Sequence, residues 1–261
     1  MLRRTIKLAA LAVVLGLGVP AAAAPPFVYR DIVLPHHDVA IDVGLGVGHA
    51  PLPGGDSISG WGLNLEIAGG ITRNVEIGIR TGFRFDNGGR YTQADRYGRP
   101  FNTETYGTNG DDMANPELHL RWAIARGTAS LGLEGRAYIP IEYGSRFGVM
   151  IGLPLSLHLG SVRFDTGLFV PMLFYDPTVT IVSIPLHLWI QASNTVWFGP
   201  MFGWRHWSGN GSYTEYPFGF GLGTAVNRAI DFRAWFLFPS INRDEGGREF
   251  GGGVALQFRV E

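Results

Sequence analysis

In the run RHWSGNG (205–211), His206 and Ser208 stand two residues apart. A histidine that takes the proton of a nearby serine turns the hydroxyl into a nucleophile, and ester hydrolysis is the chemistry such a pair performs. In an extended chain, residues two apart share a face, so the spacing suits the pairing. Asn210 or Glu215 is the candidate third group, although Glu215 falls on the opposite parity. A larger set of charged residues recurs at alternate positions: Glu76, Arg80 and Arg84; Glu117, His119 and Arg121; Glu134 and Arg136; His158; Arg163 and Asp165; His187; Arg233. Along the wall of a narrow polar passage, such groups select solutes by charge. Packed tightly, they salt-bridge one another into a plug. His36, His37 and Asp38 are of metal-ligating types, and NGDDMANPE (109–117) carries oxygens suited to calcium. Neither has the spacing of a known site, so no metal or cofactor is expected. A periplasmic plug or a plain polar end is the expected role of 36–38.

The elements that would position these groups are strands. In NVEIGIRTGFRF (74–85), Val75, Ile77, Ile79, Thr81, Phe83 and Phe85 alternate with Asn74, Glu76, Gly78, Arg80, Gly82 and Arg84. One face is apolar and the other charged. The same period of two runs through 38–50, 60–69, 117–125, 130–141, 147–159, 162–175, 180–191, 196–207, 216–226, 230–238 and 250–260, which gives twelve strands. They run about 9–14 residues, long for soluble proteins and right for tilted strands that cross a membrane. Connections are tight after the even-numbered strands and longer after the odd ones, the longest being 86–112. Aromatic residues gather near the loop ends (Phe83, Phe85, Trp204, Trp207, Phe218) and near the turn ends (Trp122, Phe164, Trp197, Phe198), as two lipid–water interfaces require. The apolar face therefore points to lipid and the charged face to a lumen. Because unpaired strand edges are costly in hydrocarbon, the sheet must close into a barrel.

The start of the chain has a separate logic. Arg3, Arg4 and Lys7 precede an apolar run, Leu8–Val19, and a small-residue tract, the layout of a cleaved export signal. Cleavage after Ala23 leaves a single domain, 24–261. With three of the 21 basic residues removed against 22 acids, the mature chain is mildly acidic, and no nucleic-acid partner is expected. There is no cysteine, which excludes disulfides and a lipoprotein anchor. Lys7 is the only lysine; all later basic residues are arginine, the better side chain for bidentate pairs in half-dry settings.

The organisation over 38–260 resembles Gram-negative outer-membrane β-barrel proteins. VALQFRVE at the C-terminus is similar to the terminal strand of that class, with Phe258 third from last where the class usually ends on an aromatic residue. The resemblance implies an outer-membrane location, with short turns in the periplasm and with lipid and lipopolysaccharide as surroundings. RHWSGNG resembles the His-x-Ser-Asn-Gly signature of outer-membrane phospholipase A and lipid A deacylase, with Gly209 and Asn210 out of order; that implies an outer-leaflet lipid esterase with Ser208 as nucleophile and His206 as base. Passage of small polar solutes through a narrow, porin-like lumen is the function expected first, without catalysis. A scaffold barrel acting through loop 86–112 stands beside it. Inward glycines (Gly44, Gly46, Gly48, Gly219, Gly221, Gly223, Gly251, Gly253) are expected to leave free volume and favour an open pore. Pro140, Pro154, Pro171, Pro185 and Pro200 fall in five successive strands, where proline removes a ladder bond. They imply either bulges or a weak seam in the wall.

Overall fold

A computed structural model describes residues 25–51, 56–85, 113–141, 144–209, 211–242 and 249–260. The expected export signal, the loop 86–112 and, with it, the first four residues of the calcium-like run 109–117 lie outside the described residues. The strands are β1 (Val39–Pro51), β2 (Ser57–Gly70), β3 (Val75–Arg84), β4 (Glu117–Ala125), β5 (Ala129–Tyr138), β6 (Gly148–Leu159), β7 (Val162–Leu173), β8 (Val179–Gln191), β9 (Val196–Gly209), β10 (Gly211–Glu215), β11 (Phe218–Ala225), β12 (Ile230–Phe238) and β13 (Phe250–Val260). All neighbours are antiparallel. β1 pairs with β13 and β8 with β9, so the sheet closes on itself.

The ring has twelve positions, because β10 and β11 are one strand. Both pair with β9 in a single register, from Gly211↔Gly209 down to Thr224↔Val196. Pro217 interrupts them, and between the two segments the Gly203 amide still donates to the Pro217 carbonyl at 3.0 Å. The sequence alone places a polar loop at 208–215 and starts the tenth strand at 216. A hairpin occupies that place instead. Gly209 and Gly211 adopt φ of +147° and +109°, which glycine tolerates and which reverses the chain tightly.

Faces follow the expected parity. Ile77 and Ile79 are 49% and 44% exposed, whereas Glu76 and Arg80 are 0% and 2% exposed. The apolar side chains form the outer, lipid-facing surface and the charged ones the interior. Two aromatic assignments need correction. Trp197 is buried inside the barrel, and Trp207 turns inward to donate from Nε1 to Glu215 at 2.9 Å. Both lie on the inward parity of β9, which also carries Met201 and Arg205. Aromatic type alone does not separate a girdle ring from a core ring.

The prolines leave visible gaps in the ladder. The β5–β6 pairing skips the rungs between Leu131↔Leu155 and Glu134↔Gly152, where Pro154 falls. The β7–β8 pairing skips rungs on both sides of Phe169↔Ser183, where Pro185 and Pro171 fall. The β8–β9 pairing skips those between His187↔Met201 and Ile190↔Phe198, at Pro200. The register is the same on either side of each gap, so these are missing bonds in a straight ladder rather than bulges. Pro140 lies beyond the end of β5.

Candidate functional site: the barrel interior and its N-terminal segment

Residues 25–38 enter the periplasmic mouth, the end where the short turns lie. Phe27–Tyr29 form one 3-10 turn. Phe27, Val28, Ile32, Val33 and Leu34 are buried. The Phe27 ring stacks on Trp197 at 4.7 Å and 4°, meets Trp189 edge-on at 5.5 Å, and lies 5.3 Å from the Arg163 guanidinium. Polar contacts tie the segment to strands around the ring. The Leu34 amide donates to Glu76 at 2.8 Å and the Val28 amide to Gln191 at 3.2 Å. Arg121 donates to the Ile32 carbonyl at 3.0 Å and Arg163 to that of Arg30 at 2.7 Å. Arg30 forms a bidentate pair with Asp231, which Arg259 also holds. Asp31 pairs with Arg126 at the rim. The contacts are many and none is covalent.

The sequence alone attaches a plug only to 36–38, where the His36 and His37 rings lie 3.6 Å apart, tilted by 32°. Among the described residues no group of three or more His, Cys, Asp or Glu could hold a metal. The missed signal was in PFVYRDIVLP, where apolar residues between two prolines follow no strand period. A segment that is apolar without a lipid-facing parity must bury itself inside the protein.

Above this segment, β3, β4 and β5 carry a relay of opposite charges. His119 Nε2 lies 3.3 Å from Glu76. Arg121 reaches Glu134 at 2.7 Å, and Arg136 reaches the other Glu134 oxygen at 2.7 Å. Arg136 continues to Glu117 at 3.1 Å, and Arg80 holds both Glu117 oxygens at 2.9 Å. Cross-strand pairing dictates the order, since Arg80 faces Glu117, Glu76 faces Arg121, and Arg121 faces Glu134. His119 lies over Gly78, where a Cβ would meet the imidazole at 2.4 Å.

The remaining expected residues are also inside, away from this relay. Arg163 pairs with Asp165 at 2.7 Å, His158 with Ser156 at 3.2 Å, and Arg233 with Asp42. His187 and Arg84 are buried. Arg205 belongs with them, bound to Glu215 at 3.3 Å and to the Pro239 carbonyl at 3.1 Å.

The expectation of free volume over the glycines fails at several positions. A Cβ at Gly221 would strike Trp189 at 2.7 Å, one at Gly223 Trp197 at 2.3 Å, and one at Gly253 Trp235 at 2.5 Å. These glycines seat indole rings from other strands, adjacent for Trp197 and Trp235 and one strand removed for Trp189. Side-chain size on one strand says nothing about what a facing strand sends across.

The pairing of His206 with Ser208 also fails. Both lie on the outward parity, as expected. Ser208, however, donates to the Thr180 carbonyl at 3.1 Å. The imidazole of His206 lies 3.0 Å from Thr214 and 3.2 Å from Ser212, both on the paired strand β10. The hairpin supplies the histidine with partners from across the ladder, which sequence spacing along one strand could not show.

A closed antiparallel ring with an apolar exterior and a charged interior is a bacterial outer-membrane β-barrel. No family model matches the chain, and no curated protein does. Solved structures do. The NanC porin superposes with a TM-score of 0.59 at 9% identity, over 84% of this chain and 100% of that one. The COG4313 outer membrane channel from Pseudomonas putida F1 gives 0.60 at 10% identity, over 87% and 97%. The translocator domain of the autotransporter NalP from Neisseria meningitidis gives 0.52 at 11%, over 87% and 90%. At these identities the likeness is one of fold.

Proposed function

We propose that the protein is a narrow, porin-like channel for small polar solutes, with residues 25–38 as its periplasmic gate. The observation that carries this reading is the way the mouth is closed. A barrel that serves only as a scaffold can be filled by its own strands. Here the periplasmic end is filled by a separate segment, held by hydrogen bonds, ion pairs and one stacked ring. Its withdrawal would uncover Trp189, Trp197, Arg163, Glu76 and Asp231 and leave the strand wall complete. The inward Arg, Glu, Asp and His residues would then line the path, and their balanced signs would favour small polar solutes over bulky apolar ones. The two barrel channels among the similar structures make the reading natural for this fold. The apolar exterior supports outer-membrane lipid and lipopolysaccharide as its surroundings.

Planar-bilayer recording tests it. The chain lacking residues 25–37 should show stable openings, with several-fold higher mean conductance than the full mature chain, whose openings should be rare and brief. If neither form conducts above background over a wide voltage range, the channel reading is wrong. If both conduct alike, the segment is not a gate.

A further inference from the structure

Three of the prolines fall on one line across the wall, and each faces glycine. Pro154 lies opposite Gly167, and Pro185 opposite Gly203. The register on either side of the gaps sets Pro154 opposite Gly132 and Pro185 opposite Gly167. Gly203 meets Pro217, to whose carbonyl its amide donates. The result is one cross-strand row, Gly132–Pro154–Gly167–Pro185–Gly203–Pro217, from β5 to the break between β10 and β11.

Two consequences follow from residue chemistry. Each proline lacks the amide that would complete the exchange with the glycine across from it. All six positions are on inward parity, so the row's own residues put nothing larger than a pyrrolidine ring on the inner side. Ile32 of the N-terminal segment and the ring of Phe169 pack over Gly132 and Gly167 there. Two small voids lie along the row, and a third of about 20 Å³ lies off it beside Met150, Phe169 and Pro171. One of about 10 Å³ lies beside Pro154, between Arg121, Arg163 and Asp165 on the inner side and Leu155 and Thr166 on the outer. Another, of about 20 Å³, lies beside Pro185, Gly203 and Pro217, with Ser183, His187 and Arg205 inside and Phe202 outside. Each is of the order of a single water. The opposite wall has no such line, since β1 and β2 pair without a break from Val39↔Gly69 to Pro51↔Ser57. Missing donors in hydrocarbon are costly, so a wall that needed only to stay shut would not collect them in one row.

We propose that this row is a seam along which the wall parts, giving amphiphilic solutes in the lumen a sideways route into the outer membrane. The solute class follows from the two sides of the seam. Ser183, His187 and Arg205 would receive a polar head, while Leu168, Leu186 and Phe202 on the outer surface would accept an apolar body. The route rests on the channel reading only in that the solute must enter the lumen from outside.

The chain has no cysteine, so the seam can be locked. Leu168 and Ile184 lie opposite each other by register, between Thr166↔Leu186 and Phe169↔Ser183. Both face lipid, in a non-hydrogen-bonded position whose Cα separation suits a disulfide. The double variant L168C/I184C, oxidised, pins β7 to β8. V43C/L65C does the same across the unbroken β1–β2 pair. The probe is N-phenylnaphthylamine, an apolar amine that fluoresces on reaching membrane interior, added to cells that make each variant or none. Oxidation of L168C/I184C should cut protein-dependent uptake several-fold, reduction should restore it, and V43C/L65C should be indifferent. The variant P154A/P185A/P217A, which returns three donors to the seam, should lose uptake in the same way. Uptake that survives the seam lock, falls equally with the control lock, or never depends on the protein overturns the proposal. Bilayer conductance of the oxidised seam variant reads the axial channel separately. It should stay unchanged, so a silent bilayer would count against the channel and not against the seam.

Discussion

The barrel has two unlike arcs. From β3 to β5 the inward face is a relay of buried charge in which Glu117 and Glu134 each bridge two arginines. The pairing there is continuous apart from one register shift at Ala123/Ala125. From β6 to β9 the inward face is mixed: Met150, Gly152, Pro154, Phe169, Pro171, Ile181, Ser183 and Pro185 stand among Arg163, Asp165, His187 and Arg205, with rungs missing at every proline. The charged relay and the continuous ladder thus coincide on the first arc, while the missing rungs fall on the second. A wall designed for uniform strength would set strong side-chain pairs where backbone bonds are absent. The opposite distribution concentrates rigidity on one side and compliance on the other. The N-terminal segment bridges them, through Glu76 and Arg121 on the first arc and Arg163 and Gln191 on the second.

The largest effect should come from the charged arc. Glu134→Gln keeps the volume but removes the charge that Arg121 and Arg136 share at 2.7 Å each. Removing one partner of a buried ion network leaves the others uncompensated and costs roughly 3–5 kcal/mol. Urea unfolding in lipid vesicles should show that loss as a lower midpoint. A cost well under about 1 kcal/mol, the range of exposed pairs, would mean that lumen water already screens the relay. The two arcs would then differ less in rigidity than their geometry implies.

A smaller change of opposite sign should come from the proline arc. Pro185→Ala returns an amide opposite Gly167. A net hydrogen bond is worth about 1 kcal/mol. The proline's lower unfolded-state entropy, about 0.4–1 kcal/mol, is lost in exchange. Stability should rise by at most about 1 kcal/mol, while amide exchange on β7 and β8 should slow markedly. Faster exchange would show that the ring of Pro185 packs in a way that the missing bond does not outweigh.

The difference between the arcs was half legible in the sequence. Period-two alternation set the faces of Glu76, Arg80, Glu117, Arg121, Glu134 and Arg136 correctly, because one strand's parity is a local property. Their pairing into a relay was not legible, since it depends on which residues stand opposite across two turns. The prolines were visible as an anomaly, but their alignment with Gly132, Gly167 and Gly203 appears only once register is known. Trp189, Trp197 and Trp235 were hidden for the same reason: each fills space over glycines of another strand. Phe27 and its segment were hidden because they follow no period at all. SGNG (208–211) read as the start of a loop because Ser, Gly and Asn favour turns, whereas Gly209 and Gly211 already belong to β9 and β10.

The smallest effect tests whether side chains compensate for the missing rungs. Ser208 Oγ donates to the Thr180 carbonyl at 3.1 Å, a bond from β9 to β8 at the loop end of the sparse arc. The hydroxyl is exposed, so water can replace it in Ser208→Ala. Surface substitutions of this kind fall within about 0.5 kcal/mol, and the unfolding midpoint should barely move. Release of fatty acid from phospholipid in mixed micelles should also be the same for Ser208→Ala and the parent. His206 meets Ser212 and Thr214 instead, so among the described residues Ser208 has no base within its hydrogen-bonding set. A loss of stability near that of Glu134→Gln would mean that single side-chain bonds hold the sparse arc shut, and the seam would then be stiffer than its backbone pairing suggests. A loss of fatty-acid release would restore Ser208 as a nucleophile and place the chemistry on the outside of the compliant arc.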